Sequence, residues 1–444
     1  MFDKKINSFI RDLQYNNPNI NEEEIEKLLL PLKKKIIGNL SLDEMVSKII
    51  DDFSFGKYIY NSPGFMFNFK TNNINIKLYG GYRNFNYKLM KDDTLFDLDS
   101  ITKQYTMIII YKLIKLKIIS FTTKVRDILD YPNIGDLTIL ELTYFVSSFD
   151  TCKNIEDAKS KEEALSILKN VHIKNVGDYN YNDIGCIILK EIAEKVTGVS
   201  YENLLQNLVL DKLNLKSTFV SVPNLLRNNI TGTPNIDTCL PNDAKACVLG
   251  GFSGHAGIFA TCDDVVSMTS NVINNNLIDG YDFYTPGISL EHSMAGNACC
   301  FGNHNVDKRF PKKSFALQGS TRVQVNTSMW ELDRKYTLTS AIFLNPATIS
   351  KEDAISKENT INSYLPDEKK IKLYREFNTL DGNFKQIDAR YLIPNNVIIS
   401  LNKEVSDFML KLLYIEYFMS KYEKNRDFNY KIKKILTRNS KNSI

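Results

Sequence analysis

Ser100 and Lys103 stand three positions apart in Asp99-Ser100-Ile101-Thr102-Lys103, at the head of a long apolar run. On a helix this spacing places both side chains on one face, a turn apart. A serine hydroxyl attacks a carbonyl poorly unless a base or a cation sits beside it. A helix N-terminus also favours the negative charge that develops on attack. Lys103 falls inside an otherwise greasy segment, so burial is expected to weaken its hold on a proton and suit it to act as a base or relay. The plainer reading of the same residues is structural, with Asp99 or Ser100 as the N-cap of the helix that follows.

These residues must be held by the elements around them. Pro63-Gly64 opens a β-rich stretch in which Phe65, Phe67 and Phe69 alternate. After the turn at Thr71-Asn72-Asn73, Ile74, Ile76 and Leu78 alternate in the same way, up to Gly80-Gly81. That is a hairpin pattern. Residues 100–120 read as one apolar helix, and the chain to about 275 reads as mostly helical. There Ile187, Ile188, Ile192 and Val196 fit a 3.6 period, and Gly198 stands where a C-cap glycine belongs. Strands return near Phe315, at Val323 and Val325, and over 336–344, followed by a charged segment (350–395) and a helix over 404–423.

This order predicts an α/β (α+β) fold, an antiparallel sheet flanked by helices with an all-α insert and a cleft between the two parts. The expected divisions are an N-terminal helical extension (1–55), a main domain (56–350) with its helical insert at about 120–275, a C-terminal part (351–425) and a basic tail (426–444).

Composition narrows the function. The 444 residues carry 56 basic and 52 acidic side chains, a net charge of +4, and no basic run of the kind that binds nucleic acid. The most apolar window, Tyr105 to Phe121, is short for a bilayer and is interrupted by Lys112, Lys115 and Lys117. Charges break the opening MFDKK too early for a signal-peptide core. The seven cysteines are scattered, with only Cys299 and Cys300 adjacent, and show no metal-type spacing. Reduced thiols, a cytoplasmic location, and neither a metal nor an organic cofactor are the expectations.

The stretch Thr94–Lys103, TLFDLDSITK, resembles the T-x-F-x-x-x-S-x-T-K segment of the β-lactamase-like serine hydrolases, the group of class C β-lactamases, penicillin-binding proteins and esterases. Pro63-Gly64 and Gly80-Gly81 resemble that family's opening strands. Tyr179–Gly198, YNYNDIGCIILKEIAEKVTG, resembles its Y-x-N segment and following helix. Residues 204–219 resemble its L-x-x-L-G-M-x-x-T segment, and Asp243–Asp264 resembles its G-x-A-G-H-A-G-x-F-S-T block.

The resemblance implies a β-lactamase/transpeptidase-like fold with Ser100 as nucleophile and Lys103 and Tyr181 moving its proton. Tyr181 would need a neighbouring cation to ionise, since a phenol normally does so near pH 10. Asp183 would line the site where many members carry Asn. His255 would line it too, chiefly by shaping a loop. The implied substrate is a small ester, amide or peptide, with no nucleic acid or membrane partner.

Two departures qualify that expectation. The family's third element is a strand reading H-T-G or K-T-G. Here one count places Thr321-Arg322-Val323 on it and another Leu317-Gln318-Gly319, and neither begins with His or Lys. Arg322 restores a positive charge in the first count but holds its proton at any useful pH. A strand amide near Val323–Val325 still supplies an oxyanion donor. The second departure is Thr143–Ser148, TYFVSS, where Phe145 and Ser148 replace the family's His and Gly. β-Lactam hydrolysis is therefore not expected. The alternative to an active hydrolase is a catalytically impaired member that binds a protein partner through its terminal extensions.

Overall fold

The alternating phenylalanines form strand β1 (Gly64–Lys70), paired with β2 (Asn75–Gly81) so that Phe67 faces Leu78 across the hairpin. Phe65, Phe67 and Phe69 are buried, and so are Met66 and Asn68 between them. Both faces of β1 are therefore covered, as a central strand requires. In the computed structural model the described residues are 64–70, 75–84, 88–177, 179–231, 241–274, 297–298, 314–320, 324–331, 336–343, 350–367, 370, 374–379 and 382–387. The extension 1–55, the helix expected over 404–423, the basic tail, Cys299-Cys300 and Arg322 lie outside them.

The other strands are β3 (Phe96–Asp97), β4 (Ser147–Asp150), β5 (His172–Val176), β6 (Thr218–Phe219), β7 (Phe259–Ala260), β8 (Asn297–Ala298), β9 (Ser314–Ser320), β10 (Gln324–Glu331), β11 (Tyr336–Phe343), β12 (Tyr374–Thr379) and β13 (Gly382–Ile387). The main sheet has the order β2-β1-β11-β10-β9-β8, with every neighbour antiparallel. The chain thus leaves the sheet after β2 and re-enters at β8, and everything that carries the site's helices lies between.

The helices named below are α1 (Thr102–Lys115), α2 (Ile139–Thr143), α3 (Lys161–Lys169), α4 (Ile184–Thr197), α5 (Tyr201–Leu205), α6 (Ala244–Val248), α7 (Cys262–Ile273) and α8 (Lys351–Asn362). Helix α1 is buried at every position from Thr102 to Tyr111 and runs through the middle of the main core. Such all-round burial explains why the stretch 107–110 is apolar without a polar stripe. It is shorter than the expected 100–120, because residues 99–101 form a 3₁₀ turn and the chain bends after Lys115, with Lys117 at φ +58°. Helix α4 packs on α1 with Ile187, Ile188 and Ile192 buried, and ends on Gly198 at φ +67°. Helix α7 lies across β1, β10 and β11.

The insert is not all-α. It holds the β4–β5 pair, and β6 and β7 join β3 in a second small sheet. Two-residue strands such as Thr218–Phe219 are too short to show a period in sequence, yet they tie β3, and so the turn that follows it, to β7. Beyond residue 350 the charged segment forms α8 and the β12–β13 hairpin. Among the described residues no helix is long and apolar enough to cross a membrane, and Cys152, Cys186, Cys247 and Cys262 are free thiols.

Candidate active site

Ser100 rides on the 3₁₀ turn between β3 and α1, and this turn is held from three sides. Asp97 is fully buried, and its carboxylate accepts the amides of Asp99 (3.2 Å) and Asn242 (2.6 Å). Its carbonyl accepts the side-chain amides of Asn326 (2.6 Å) and Gln324, both on β10. Leu98 donates its amide to Ile258 just ahead of β7 (2.8 Å). The clamp holds Asp99 at φ +50°, a left-handed conformation that costs a non-glycine residue about 1–3 kcal/mol. Neither Asp99 nor Ser100 acts as the side-chain cap that the sequence suggested, since no side-chain capping bond forms at either the turn or α1.

Burial pushes Asp97 up to about 6. Its folded state therefore takes up a proton near pH 6, whereas an unfolded chain does so near 4. Stability relative to Asp97→Asn rises as pH falls through that window. Linkage over about two units gives roughly 3 kcal/mol, so melting curves of the native protein and D97N should converge or cross between pH 7 and pH 4. Parallel curves across that range would remove Asp97 as a titrating group.

Ser100 Oγ accepts a hydrogen bond from Lys103 Nζ at 2.8 Å. The same ammonium lies 2.8 Å from Asp183 Oδ1, 3.4 Å from the His255 carbonyl oxygen and 4.8 Å from the centre of the Tyr181 ring. Lys103 is 1% exposed. Burial lowers its proton affinity, as the sequence led us to expect, but the facing Asp183 carboxylate and then Tyr181 outweigh that, and the net direction is upward. The resting Lys103 is an ammonium ion, and the expectation of a weakly basic lysine is corrected by a carboxylate eighty positions away.

Asp183 is free to make that contact because Asn182, its neighbour, accepts the Gly185 amide (2.8 Å) and caps α4. Burial pushes the Asp183 carboxyl up, and Lys103, His255 and Lys245 more than reverse this, holding it well below the usual carboxylate range. Lys245 Nζ meets its other oxygen, Oδ2, at 3.0 Å.

Tyr181 stands at the solvent side of the site, 41% exposed. Burial of its hydroxyl end and the Asp183 charge raise its proton affinity, the Lys103 charge and hydrogen bonds with Lys103 and Ser100 lower it, and the balance is upward. Phe145 stacks on its ring at 5.5 Å between centroids and 26° between planes, and the Asn180 amide donates to the Phe145 carbonyl at 2.6 Å. The Thr143–Ser148 segment is thus the support of Tyr181. Phe145→Ala is expected to cost about 3–5 kcal/mol, because the ring is buried, and to loosen Tyr181. Thermal unfolding checks the first effect. A slower serine-labelling rate in the still-folded variant checks the second.

His255 is 1% exposed and does not face open solvent. Its Nε2 bonds Asp243 Oδ1 (2.9 Å), its Nδ1 bonds Ser253 Oγ (3.0 Å), and only its carbonyl reaches Lys103. Asp243 in turn accepts the Ala246 amide at the start of α6. The imidazole therefore braces the loop, and the site is lined by its backbone. Gly254 in this loop is at φ +85°, and a Cβ there would lie 2.7 Å from the Cys186 carbonyl oxygen on α4.

The ligand atoms of Asp183, Asp243 and His255 lie within 4.8 Å of one another, a spacing a metal ion could bridge. The set does not fit one well. Two ammonium groups already hold Asp183, and a divalent ion would meet both positive charges at close range.

Strand β9 lies against the serine turn at Gly319, where an added Cβ would strike the Leu98 carbonyl oxygen and sit 3.1 Å from Asp99 Cβ. Of the two counts, Leu317-Gln318-Gly319 lies on the described strand, and its Gly319 packs on Leu98, Asp99 and Ile101. Leu317 is buried and Gln318 is exposed, so neither described position supplies the family's cation. Thr321-Arg322-Val323 lies outside the described residues. The pairing of Lys245 with Asp183, the Asp97 clamp and the stacking of Phe145 on Tyr181 were not legible in the sequence. Lys245 had a visible signal, a charged residue two positions after Asp243 at the head of the glycine-histidine block.

The β-lactamase family model matches residues 63–283. No curated protein matches the sequence. Several solved structures share the fold. A class C β-lactamase is 15% identical with a TM-score of 0.57, over 73% of this chain and 99% of that one. A penicillin-binding protein from Bacillus halodurans is 16% identical with a TM-score of 0.53, over 71% and 99%. A D-amino acid amidase from Ochrobactrum anthropi SV3, solved with L-phenylalanine amide, is 14% identical with a TM-score of 0.53, over 67% and 90%. Through the ordered blocks from the first hairpin to the glycine-histidine loop and the sheet that closes over them, the chain belongs to the β-lactamase-like family.

Proposed function

We propose that this protein is a serine hydrolase that cleaves an ester or amide through an acyl-enzyme on Ser100. The observation that carries the reading is Lys103 Nζ, 2.8 Å from both Ser100 Oγ and Asp183 Oδ1. A charged Lys103 donates to the serine oxygen, so the serine proton has to leave in another direction, and the Tyr181 hydroxyl is the neighbouring acceptor. Once the coupled Lys103–Tyr181 set has lost one proton to solvent, Ser100 Oγ attacks the acyl carbon as its O–H proton passes to the Tyr181 oxygen. Tyr181 passes that proton on to the departing alkoxide or amine, and the C–O or C–N bond breaks. Lys103 stabilises the charge that builds on the serine oxygen. Water then attacks the acyl-serine by the reverse route, releasing the acid and restoring Ser100.

The oxyanion would rest on the Ser100 amide and a backbone amide of β9 beside Gly319, the strand that packs on the serine turn. Leu317, buried on β9, carries no charge to hold a substrate carboxylate. The same residue supports a second reading, an impaired member that is acylated or binds without turnover and reaches a protein partner through its terminal extensions.

p-Nitrophenyl butyrate separates the two. Continuous release of nitrophenol that falls to background in Ser100→Ala supports the hydrolase. A single stoichiometric burst without turnover supports the impaired member. Equal rates in the native protein and S100A would exclude acylation of Ser100 and leave only a member that binds.

A further inference from the structure

Asp183 is shared between two lysines. Its Oδ1 meets Lys103 at 2.8 Å and its Oδ2 meets Lys245 at 3.0 Å. Lys245 lies on α6, directly after the turn where Asp243 caps the helix and receives His255. Nothing in the acylation scheme above uses it. We propose that Lys245 is a positioning residue of this site, which fixes the Asp183 carboxylate by its far oxygen and limits how much of its negative charge bears on Ser100, Lys103 and Tyr181. The inference rests on the reading of these three residues as the acylating set.

A carboxylate with a single ammonium partner can rotate to bring both oxygens onto it, drawing Lys103 off Ser100. Held at Oδ2 by Lys245, Asp183 presents only Oδ1, and Lys103 keeps protons for Ser100 Oγ and the His255 carbonyl. The charge count is close to balance. Lys103 faces Asp183, Tyr181 and Cys186. Lys245 faces Asp183, Asp243 and, from the 3₁₀ turn at 155–157, Glu156. Asp183 faces Lys103, His255 and Lys245. Without Lys245, the carboxylates of Asp183 and Asp243 would be opposed by Lys103 and the His255 imidazole alone. A proton on the acylating set then becomes harder to remove.

The rising limb of the labelling rate against pH reports loss of one proton from the coupled set, whichever member carries it. With a fluorophosphonate as probe, Lys245→Met is expected to move that limb up by about one pH unit, which is about a tenfold slower rate at a fixed pH on the limb. Lys245→Gln provides the same test if the methionine variant folds poorly. Lys245→Arg, which keeps the charge, is expected to hold the limb within a few tenths of a unit of its native position, on the order of the scatter in such fits. A purely structural salt bridge would change the melting temperature and leave the limb in place. An unmoved limb in both neutral variants, or an equal shift in K245R, would overturn the proposal while leaving Ser100 as nucleophile. If the native protein takes no label at any pH, the acylating set itself is wrong and the role of Lys245 falls with it.

Discussion

Lys103→Met is expected to slow acylation of Ser100 by about 10²- to 10⁴-fold, the usual worth of a positioned proton-handling group, and to cost about 3–5 kcal/mol of stability. Both effects come from one atom. Lys103 Nζ is the donor to Ser100 Oγ, and it is the buried partner of Asp183. Removing it strands a carboxylate whose other partner, Lys245, is partly open to water. Breaking a buried pair on one side is costly because the remaining charge has lost its compensation. Lys103→Met combined with Asp183→Asn is therefore expected to recover most of the stability and none of the labelling. Chemical denaturation and labelling rates on the same samples separate the two. Stability lost without a change in labelling would make Lys103 a structural residue only.

The second large effect is expected from Gly319→Val. The added Cβ would collide with the Leu98 carbonyl oxygen and crowd the Ile101 amide at 3.2 Å. The serine turn cannot retreat, because Asp97 is already tied to Asn242, Asp99 and β10. Strand β9 has to move instead, at an overpacking cost of about 1–3 kcal/mol. Displacing an oxyanion donor by about 1 Å is enough to lower labelling by roughly 10²-fold. A folded G319V protein that labels at the native rate would show that β9 contributes nothing to the site.

Parts of this were legible in the sequence because they are written in local patterns. The hairpin shows in Phe65, Phe67 and Phe69, the close of α4 in Gly198, and the burial of Lys103 in the apolar run around it. What could not be read depends on residues far apart in the chain. The proton affinity of Lys103 looked low from its greasy surroundings, and only the approach of Asp183 reverses the sign. Phe145 looked like a lost histidine until the fold stacked it on Tyr181. The register of the third motif had two solutions by counting. Packing shows what counting could not, that Gly319 brings β9 close to Leu98. The short strands β6 and β7 carry no period and escaped notice for that reason.

The most direct test of the account is the intact mass of the protein after exposure to a fluorophosphonate, with Ser100→Ala treated in parallel. The account predicts a single adduct on the native protein and none on S100A. A well-folded native protein that gains no mass, or an S100A protein that gains as much, would contradict it.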